Sequence, residues 1–510
     1  MYIGISAYNH ESAVALINSS GQLVDYYREE NLSRIKGDKS FPKKALKRIF
    51  ERHKLNIHNI KRVAFYERPL SAFLHPVHVA SKYMPDSLNL LNNQFRNFNK
   101  SSIIFFVDLA KTLPGLEKKI VFVDHHLSHT LTALSYSDSH EDICSVVVDG
   151  FGDRSTTSIS YVSDTFNIKE LWSCSYPVSI GLFYSSITDF LGFNINEGEF
   201  KVMGLSAYGD SNSKYAKDVW KLMYWDNTSK KLKAKMEYFD YHKSITNSFS
   251  KNLIKLLGEP RNPFKQLLPE DANFQKYADI AKGAQDLTIY LLSKIFEHAY
   301  SLTSSRKFLF SGGVALNSAS LDSLAKLDFV DEIVVPPSPG DAGAAIGAAF
   351  SAYLKCDTNI NKKIIRPSLF PSNYKTSDQI DQVKKIINDG FRFLSRTKNE
   401  SLQIAADLIK EGHILGTLFE NTETGPRALG NRSLICDGTN KKAVETLNLQ
   451  IKNRSPFRPT APAMKLETAK KYYELNPALI TCYLSMTATC KCKPDSKAFN
   501  FPTTHVDSTA

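Results

Sequence analysis

The 510-residue sequence predicts an α/β protein with two related halves. Three observations point there. The chain opens on three β-branched or aromatic runs, residues 2–5, 13–17 and 23–27, separated by polar turns, which is the pattern of a strand meander. A strand with an acidic tip, residues 144–153, followed by runs at 158–162 and 169–172, repeats that order and suggests duplication. Strands leading directly into helix starts, at 120–129 and 308–318, supply the helical part of the pattern.

Composition narrows the class. With 42% hydrophobic and 23% charged residues the chain reads as a soluble globular protein, and its length calls for two or more domains. No window holds 18 uninterrupted apolar residues, and the N-terminus starts at once with a strand. Neither a membrane span nor a signal peptide is expected, so the location expected is cytoplasmic. Seven scattered Cys form no disulfide framework, and Cys490 and Cys492 have the wrong spacing for a zinc knuckle. The net charge of +12 is dispersed apart from Lys230, Lys231, Lys233 and Lys235. Without a basic stripe interleaved with aromatics, phosphorylated small molecules account for it as well as nucleic acid does.

In order along the chain, the first turn carries Ser6, Asn9, His10 and Ser12. A meander with a polar first turn is how nucleotide-handling folds of the actin, hexokinase and Hsp70 type begin, and many other meanders bind nothing. A helix over about 43–54 and a strand over 62–66 follow, then an irregular Phe- and Asn-rich stretch, 70–106. Residues 120–123 read as a short buried strand ending at Asp124, a helix-capping residue. On the helix that follows, His125 and His129 are four apart and share one face, the spacing two ligands of one metal ion need, while His126 points elsewhere. A buried or surface His pair would have the same spacing. Three of the 13 His lie within these five residues, and Asp149 at the next strand tip stands beside Gly150, where backbone and ligand can approach closely.

Further on, Glu199 and Lys201, flanked by Gly198 and Gly204, suit a ribose or phosphate as well as an ordinary surface loop. Residues 210–275, polar and Lys-rich, read as loops and short elements on the surface. A long amphipathic helix over 281–304 leads to a strand, the Gly312-Gly313 turn and a helix start, which is either a nucleotide seat or a plain turn. After a strand at 332–335, Asp341 opens a helix so rich in small residues that it must pack very close to another element. Asp341 is explained as a cap and, beside His125, His129 and Asp149, as a fourth metal ligand.

Together, Asp124 to His129, Asp149-Gly150-Phe151-Gly152-Asp153, and the runs 197–205, 312–317, 340–347, 425–433 and 457–463 resemble the carbamoyltransferase family that includes nodulation protein U and antibiotic O-carbamoyltransferases. The resemblance implies an actin-like, duplicated ribonuclease-H-like domain over 1–355 and a YrdC-like α/β domain over 365–510. In such enzymes the second domain joins carbamoyl phosphate to ATP, with magnesium, giving carbamoyl-adenylate and pyrophosphate. The first passes the carbamoyl group to a hydroxyl of a small molecule or sugar. Carried over by position, His125, His129, Asp149 and Asp341 match the metal ligands, for iron or zinc. Asp149 and His126 count as catalytic, His126 positioning or deprotonating the alcohol. Glu199, Lys201, Gly312, Gly313 and Asn317 would hold the adenosine part.

In the second domain Arg427, Arg432, Ser433, Lys452, Arg454 and Arg458 alternate with apolar and Gly positions, unlike a solvated basic face. The planar fork of Arg matches phosphate oxygens, so carbamoyl phosphate and triphosphate are the natural ligands. The chain departs from the family at His10-Glu11-Ser12-Ala13, at Glu420-Asn421, and by stopping at Ala510 where relatives continue, so the second domain is expected to be incomplete. The alternatives are a degenerate nucleotide- and metal-binding protein from a truncated gene, or threonylcarbamoyl transfer to tRNA, against which the fused second domain argues. A homodimer is compatible with the resemblance, and stretches 70–106 and 210–275 are where the acceptor pocket is expected.

Overall fold

The computed structural model describes residues 1–138, 142–244, 246–356, 397–418, 423–485 and 488–510. Strands β1 (Tyr2–Ser6), β2 (Ala13–Ile17) and β3 (Leu23–Arg28) form the antiparallel meander, and β4 (Arg62–Phe65) and β5 (Ile120–Phe122) extend it in parallel on the far side of β1. The second sheet repeats this plan. Strands β6 (Ile143–Gly152), β7 (Ser155–Val162) and β8 (Ile168–Ser175) form its meander. A separate ribbon, β9 (Met223–Asp226) and β10 (Lys231–Ala234), precedes β11 (Lys307–Ser311) and β12 (Glu332–Val334), which pair in parallel beyond β6. Both sheets therefore have the order third-second-first-fourth-fifth, β3-β2-β1-β4-β5 and β8-β7-β6-β11-β12. The duplication expected from the repeated strand pattern is present in the topology.

What joins the two sheets is the small-residue helix, Asp341–Cys356. A Cβ added to Gly4 of β1 would lie 1.9 Å from the Ala345 carbonyl oxygen, and one added to Gly347 would lie 1.8 Å from that of Ser128. Backbones approach this closely only without side chains between them. The helix is thus wedged between β1 and the histidine helix, His125–Ser135. Thr132 links the two helices: its hydroxyl lies 2.9 Å from the Gly343 carbonyl oxygen and accepts the Gly347 N–H at 3.0 Å. The second core gathers around the long helix Phe274–Thr303, whose Leu291, Ile295 and Phe296 pack with Phe308 and Phe310 of β11.

Four sequence expectations need correction. The stretch 70–106 is a helical hairpin, Pro69–Ser81 and Leu88–Thr112. Pro76 inside the first helix and the Asn-rich start of the second, both poor helix formers, hid its period. Strand β5 is a half-exposed sheet edge, with Phe122 36% exposed, because nothing among the described residues pairs beyond it. Residues 210–275 are not merely surface, since Val219, Trp225, Phe239 and Leu253 are buried in the second core. The long helix begins at Phe274 rather than at 281.

Beyond residue 396 the ladders among the described residues are β13 (Leu415–Leu418) with β14 (Arg432–Ile435), and β15 (Tyr473–Glu474) with β16 (Lys491–Cys492). The expected domain boundary, 355–365, reaches past residue 356 and, like Glu420-Asn421, lies outside the described residues. Phe457 is buried against Phe193 and Phe274, so this C-terminal part leans on the second core. Among the described residues, no helix is long and apolar enough to cross a membrane.

Two outcomes follow from this packing. Gly347→Ala should destabilise the protein by roughly 3 kcal/mol in urea unfolding, because its methyl meets backbone rather than a mobile side chain. His242 is buried against the Tyr83 ring, and burial, with Lys243 adding to it, lowers its imidazole from 6.5 to about 4. The unfolded chain takes up that proton first, so this contribution is complete above pH 6.5 and is lost as pH falls toward 4. Stability measured between those pH values should fall less steeply in His242→Phe than in the parent.

Candidate functional site

Two carboxylates fix the start of the histidine helix. Asp124 accepts the Leu127 N–H at 3.2 Å, and Asp153 accepts the His125 N–H at 3.1 Å and the Arg68 N–H at 2.8 Å. Both satisfy first-turn donors that the helix itself cannot. His125 and His129 then face the end of β6 and the start of the small-residue helix. A Cβ on Gly152 would lie 2.0 Å from the His125 ring, so a glycine is required for that ring to sit on β6.

The Nε2 atoms of His125 and His129 are 3.1 Å apart. Each lies 3.2 Å from Asp149 Oδ2, and they lie 3.6 and 3.5 Å from Asp341 Oδ1. The four donors fall within 4.8 Å of one another, and all four residues are buried. Four ligands held about 2.0–2.1 Å from one ion stand about 3.3–3.4 Å apart in a tetrahedron. The five separations above bracket that edge, so the donor set fits a mid-sized divalent cation. Asp149 Oδ1 is turned away by the N–H groups of Gly150, at 2.7 Å, and Gly313, at 3.3 Å. Asp341 Oδ2 accepts the Tyr66 hydroxyl at 3.3 Å, so its side chain faces the histidines.

The electrostatics match. Burial opposes the imidazolium of His125, but hydrogen bonding to Asp149 and the charges of Asp341 and Asp149 outweigh it and push the group up to about 10. His129 is raised in the same way, and Asp149 and Asp341 are lowered, against burial, by their histidine partners. His126 points elsewhere, as its position on the helix predicts. Its Nδ1 lies 2.7 Å from Ser158 Oγ, its Nε2 is sealed off, and burial together with His125 and His129 keeps it neutral.

Asn9, Tyr66 and Glu67 support the cluster from behind Asp341. Asn9, in the polar first turn, donates to the Tyr66 hydroxyl at 3.0 Å and to Glu67 at 2.8 Å. Burial, reinforced by Asp153 and Asp341 and opposed by His125, pushes Glu67 up to about 8. Tyr66 and Glu67 follow β4 directly, at a strand end.

The residues matched to adenosine are engaged within the protein. Glu199 accepts from Ser185 and Asn196, both at 2.9 Å, and from Gly198 at 3.2 Å, at the start of helix Glu199–Ser206. Asn317 and Gln285 pair reciprocally through their amides at 3.0 Å. Gly312 has a φ of +91°, where a Cβ would also strike the Val148 carbonyl, and Gly313 serves Asp149.

Lys201 instead joins cations of the C-terminal part. Arg458 stacks on Phe200 at 4.1 Å, and burial, with Arg454 and Arg427 nearby, lowers it to about 10. Lys201 is lowered by burial, Arg458, Arg261 and Lys36, and Lys452 by burial, Arg454 and Lys36. Arg427 reaches the Leu316 carbonyl at 3.0 Å, and Arg454 donates to Asn448 at 3.3 Å. Arg261 spends its guanidinium on carbonyl groups of residues 191, 192, 262 and 265. Lys36, Lys201, Arg427, Lys452, Arg454 and Arg458 thus form one basin of cations, with no carboxylate salt bridge to any of the six among the described residues. Arg432 lies apart, its side chain donating to Asn31 at 3.2 Å, and Ser433 accepts the Gly430 N–H at 2.9 Å within β14's turn.

The carbamoyltransferase N-terminus family matches residues 1–350 and the carbamoyltransferase C-terminus family residues 406–510. The chain belongs to the carbamoyltransferase family. This carbamoyltransferase is 28% identical to an uncharacterized protein of Synechocystis over 93% of its own length and 77% of the relative's. It is 25% identical to nodulation protein NolNO of Sinorhizobium fredii, over 99% and 69%. Nodulation protein U of Azorhizobium caulinodans is 31% identical over 33% of this chain and 28% of that protein. Among solved structures, component A of the (R)-2-hydroxyglutaryl-CoA dehydratase of Acidaminococcus fermentans is 14% identical, with a TM-score of 0.35, over 69% of this carbamoyltransferase and 98% of that chain.

If the four donors hold a cation, His129→Ala should remove it from purified protein by elemental analysis. Asn9→Ala, which strips support from Tyr66, should weaken it by about 10–100-fold.

Proposed function

We propose that this carbamoyltransferase is a cytoplasmic ATP-dependent O-carbamoyltransferase, moving the carbamoyl group of carbamoyl phosphate, through carbamoyl-adenylate, to a hydroxyl of a small molecule or sugar. The buried set of His125, His129, Asp149 and Asp341 carries this reading. An iron or zinc ion bound there would supply Lewis-acid polarisation of the carbamoyl carbonyl. Asp149 is oriented for that task by the N–H groups of Gly150 and Gly313. His126, hydrogen-bonded to Ser158, is a positioning residue that anchors the histidine helix to β7.

In this reading Arg427, Lys452, Arg454 and Arg458, joined by Lys201, draw in the phosphates of carbamoyl phosphate and of magnesium-bound ATP. Cations that repel one another gain most from a polyanion. Glu199, Gly312, Gly313 and Asn317 shape the wall along which the adenosine part lies. The C-terminal part is assigned the YrdC-like, adenylate-forming role, and the part before residue 355 the transfer role.

The test is pyrophosphate release from ATP with and without carbamoyl phosphate, alongside carbamoylation of an alcohol, with metal supplied. Arg458→Ala should slow pyrophosphate release by about tenfold or more. His129→Ala should abolish carbamoylation while leaving pyrophosphate release intact. Pyrophosphate release indifferent to carbamoyl phosphate would overturn the reading.

A further inference from the structure

We propose that Phe193 and Phe200 are positioning residues of the cation basin, their rings holding Lys201 and Arg458 ready for a polyanion without neutralising either charge. This rests on the reading of the basin as a phosphate site. The Lys201 ammonium lies over the Phe193 ring, 5.4 Å from its centre, and the Arg458 guanidinium lies over the Phe200 ring at 4.1 Å. Both fall within the roughly 6 Å over which a ring face attracts a cation. Among the described residues neither side chain has a carboxylate salt bridge or a hydrogen-bond acceptor. Glu197, the acid that acts on Lys201, does so from beyond salt-bridge distance.

An ammonium paired with a carboxylate must give up that partner before it meets a phosphate. A ring carries no net charge, so it restrains the cation without competing for it. Restraint is needed here, because Arg458 stands close enough to Lys201 to lower it. Two long side chains that repel each other would otherwise swing apart into water, and a phosphate would have to gather them again at an entropic cost.

The Phe193 ring is itself fixed. Phe193 is 7% exposed and follows helix Ile180–Phe190, donating its N–H to the Thr188 carbonyl at 3.0 Å. A Cβ on Gly198 would lie 2.6 Å from the Phe193 Cβ, so Phe193 packs directly on the start of the helix that carries Phe200 and Lys201. Arg261 lies over the same ring at 4.6 Å, but backbone carbonyls hold its guanidinium in place. Of the two cations on Phe193, only Lys201 is therefore free to meet a ligand. Phe457 approaches Phe193 to 6.3 Å between ring centres and is followed by Arg458, so one ring links both members of the pair.

Sodium triphosphate, a polyanion without a base, and magnesium-ATP are titrated into the full chain by calorimetry, with steady-state pyrophosphate release measured in parallel. Phe200→Leu and Phe193→Leu should each weaken triphosphate binding by about fivefold or more. The KM for ATP should rise in proportion while kcat stays within about twofold. Phe200→Tyr keeps a ring at a half-buried position and should bind like the parent. The Phe200 pair decides the matter even if Phe193→Leu fails to fold. No triphosphate binding by the parent, parent-like binding by Phe200→Leu, or Phe200→Tyr as weak as Phe200→Leu would overturn the assignment. Pyrophosphate release indifferent to carbamoyl phosphate, with triphosphate binding still dependent on the ring, would sink the carbamoyl-transfer reading and leave the positioning role standing.

Discussion

Four buried donors within 4.8 Å of one another are an electrostatic constraint before they are anything else. Two carboxylates with 6% and 8% exposure cannot both stay ionised in a protein interior unless positive charge lies beside them. Within the chain, that charge comes from the raised imidazoles of His125 and His129. A divalent cation brings the same two charges and displaces the protons. Either way the cluster holds together only if all four groups are presented at once, and much of the surrounding architecture serves that requirement.

The presentation is made by close backbone packing. The histidine helix, β6 and the small-residue helix each contribute to the cluster, and glycines stand at their contacts. Gly152 admits the His125 ring, and Gly347 admits the Ser128 carbonyl. Gly313 gives its N–H to Asp149, so a turn that also resembles a nucleotide seat holds that carboxylate in place. Close packing of this kind has little tolerance for movement, which suits donors that must converge to within tenths of an ångström.

The cation basin has the opposite character. Its members come from Lys36, from helix Glu199–Ser206 and from residues 427–458, regions far apart along the chain. Phe457 ties the C-terminal part to Phe193 and Phe274, and Arg458 stacks on Phe200, so apolar and aromatic contacts hold the mutually repelling charges at close range. Arg261, which the charges alone would place in the basin, is instead consumed by backbone carbonyls.

Whatever depends on local period and spacing is legible in the amino-acid order. That includes the two meanders, the Asp124 cap, the shared face of His125 and His129, and the close packing of the helix after Asp341. That order could not determine the hairpin over residues 69–112, because Pro76 and the Asn residues mask a helix that tertiary contacts stabilise. Nor could it show that Glu199 and Asn317 are occupied by neighbours, or that Tyr66, Glu67 and Asn9 stand behind Asp341. Those facts concern which side chains meet across separations of 14 to 275 residues. Only the tertiary fold decides such meetings, because a hydrogen bond depends on distance in space and carries no trace in local periodicity.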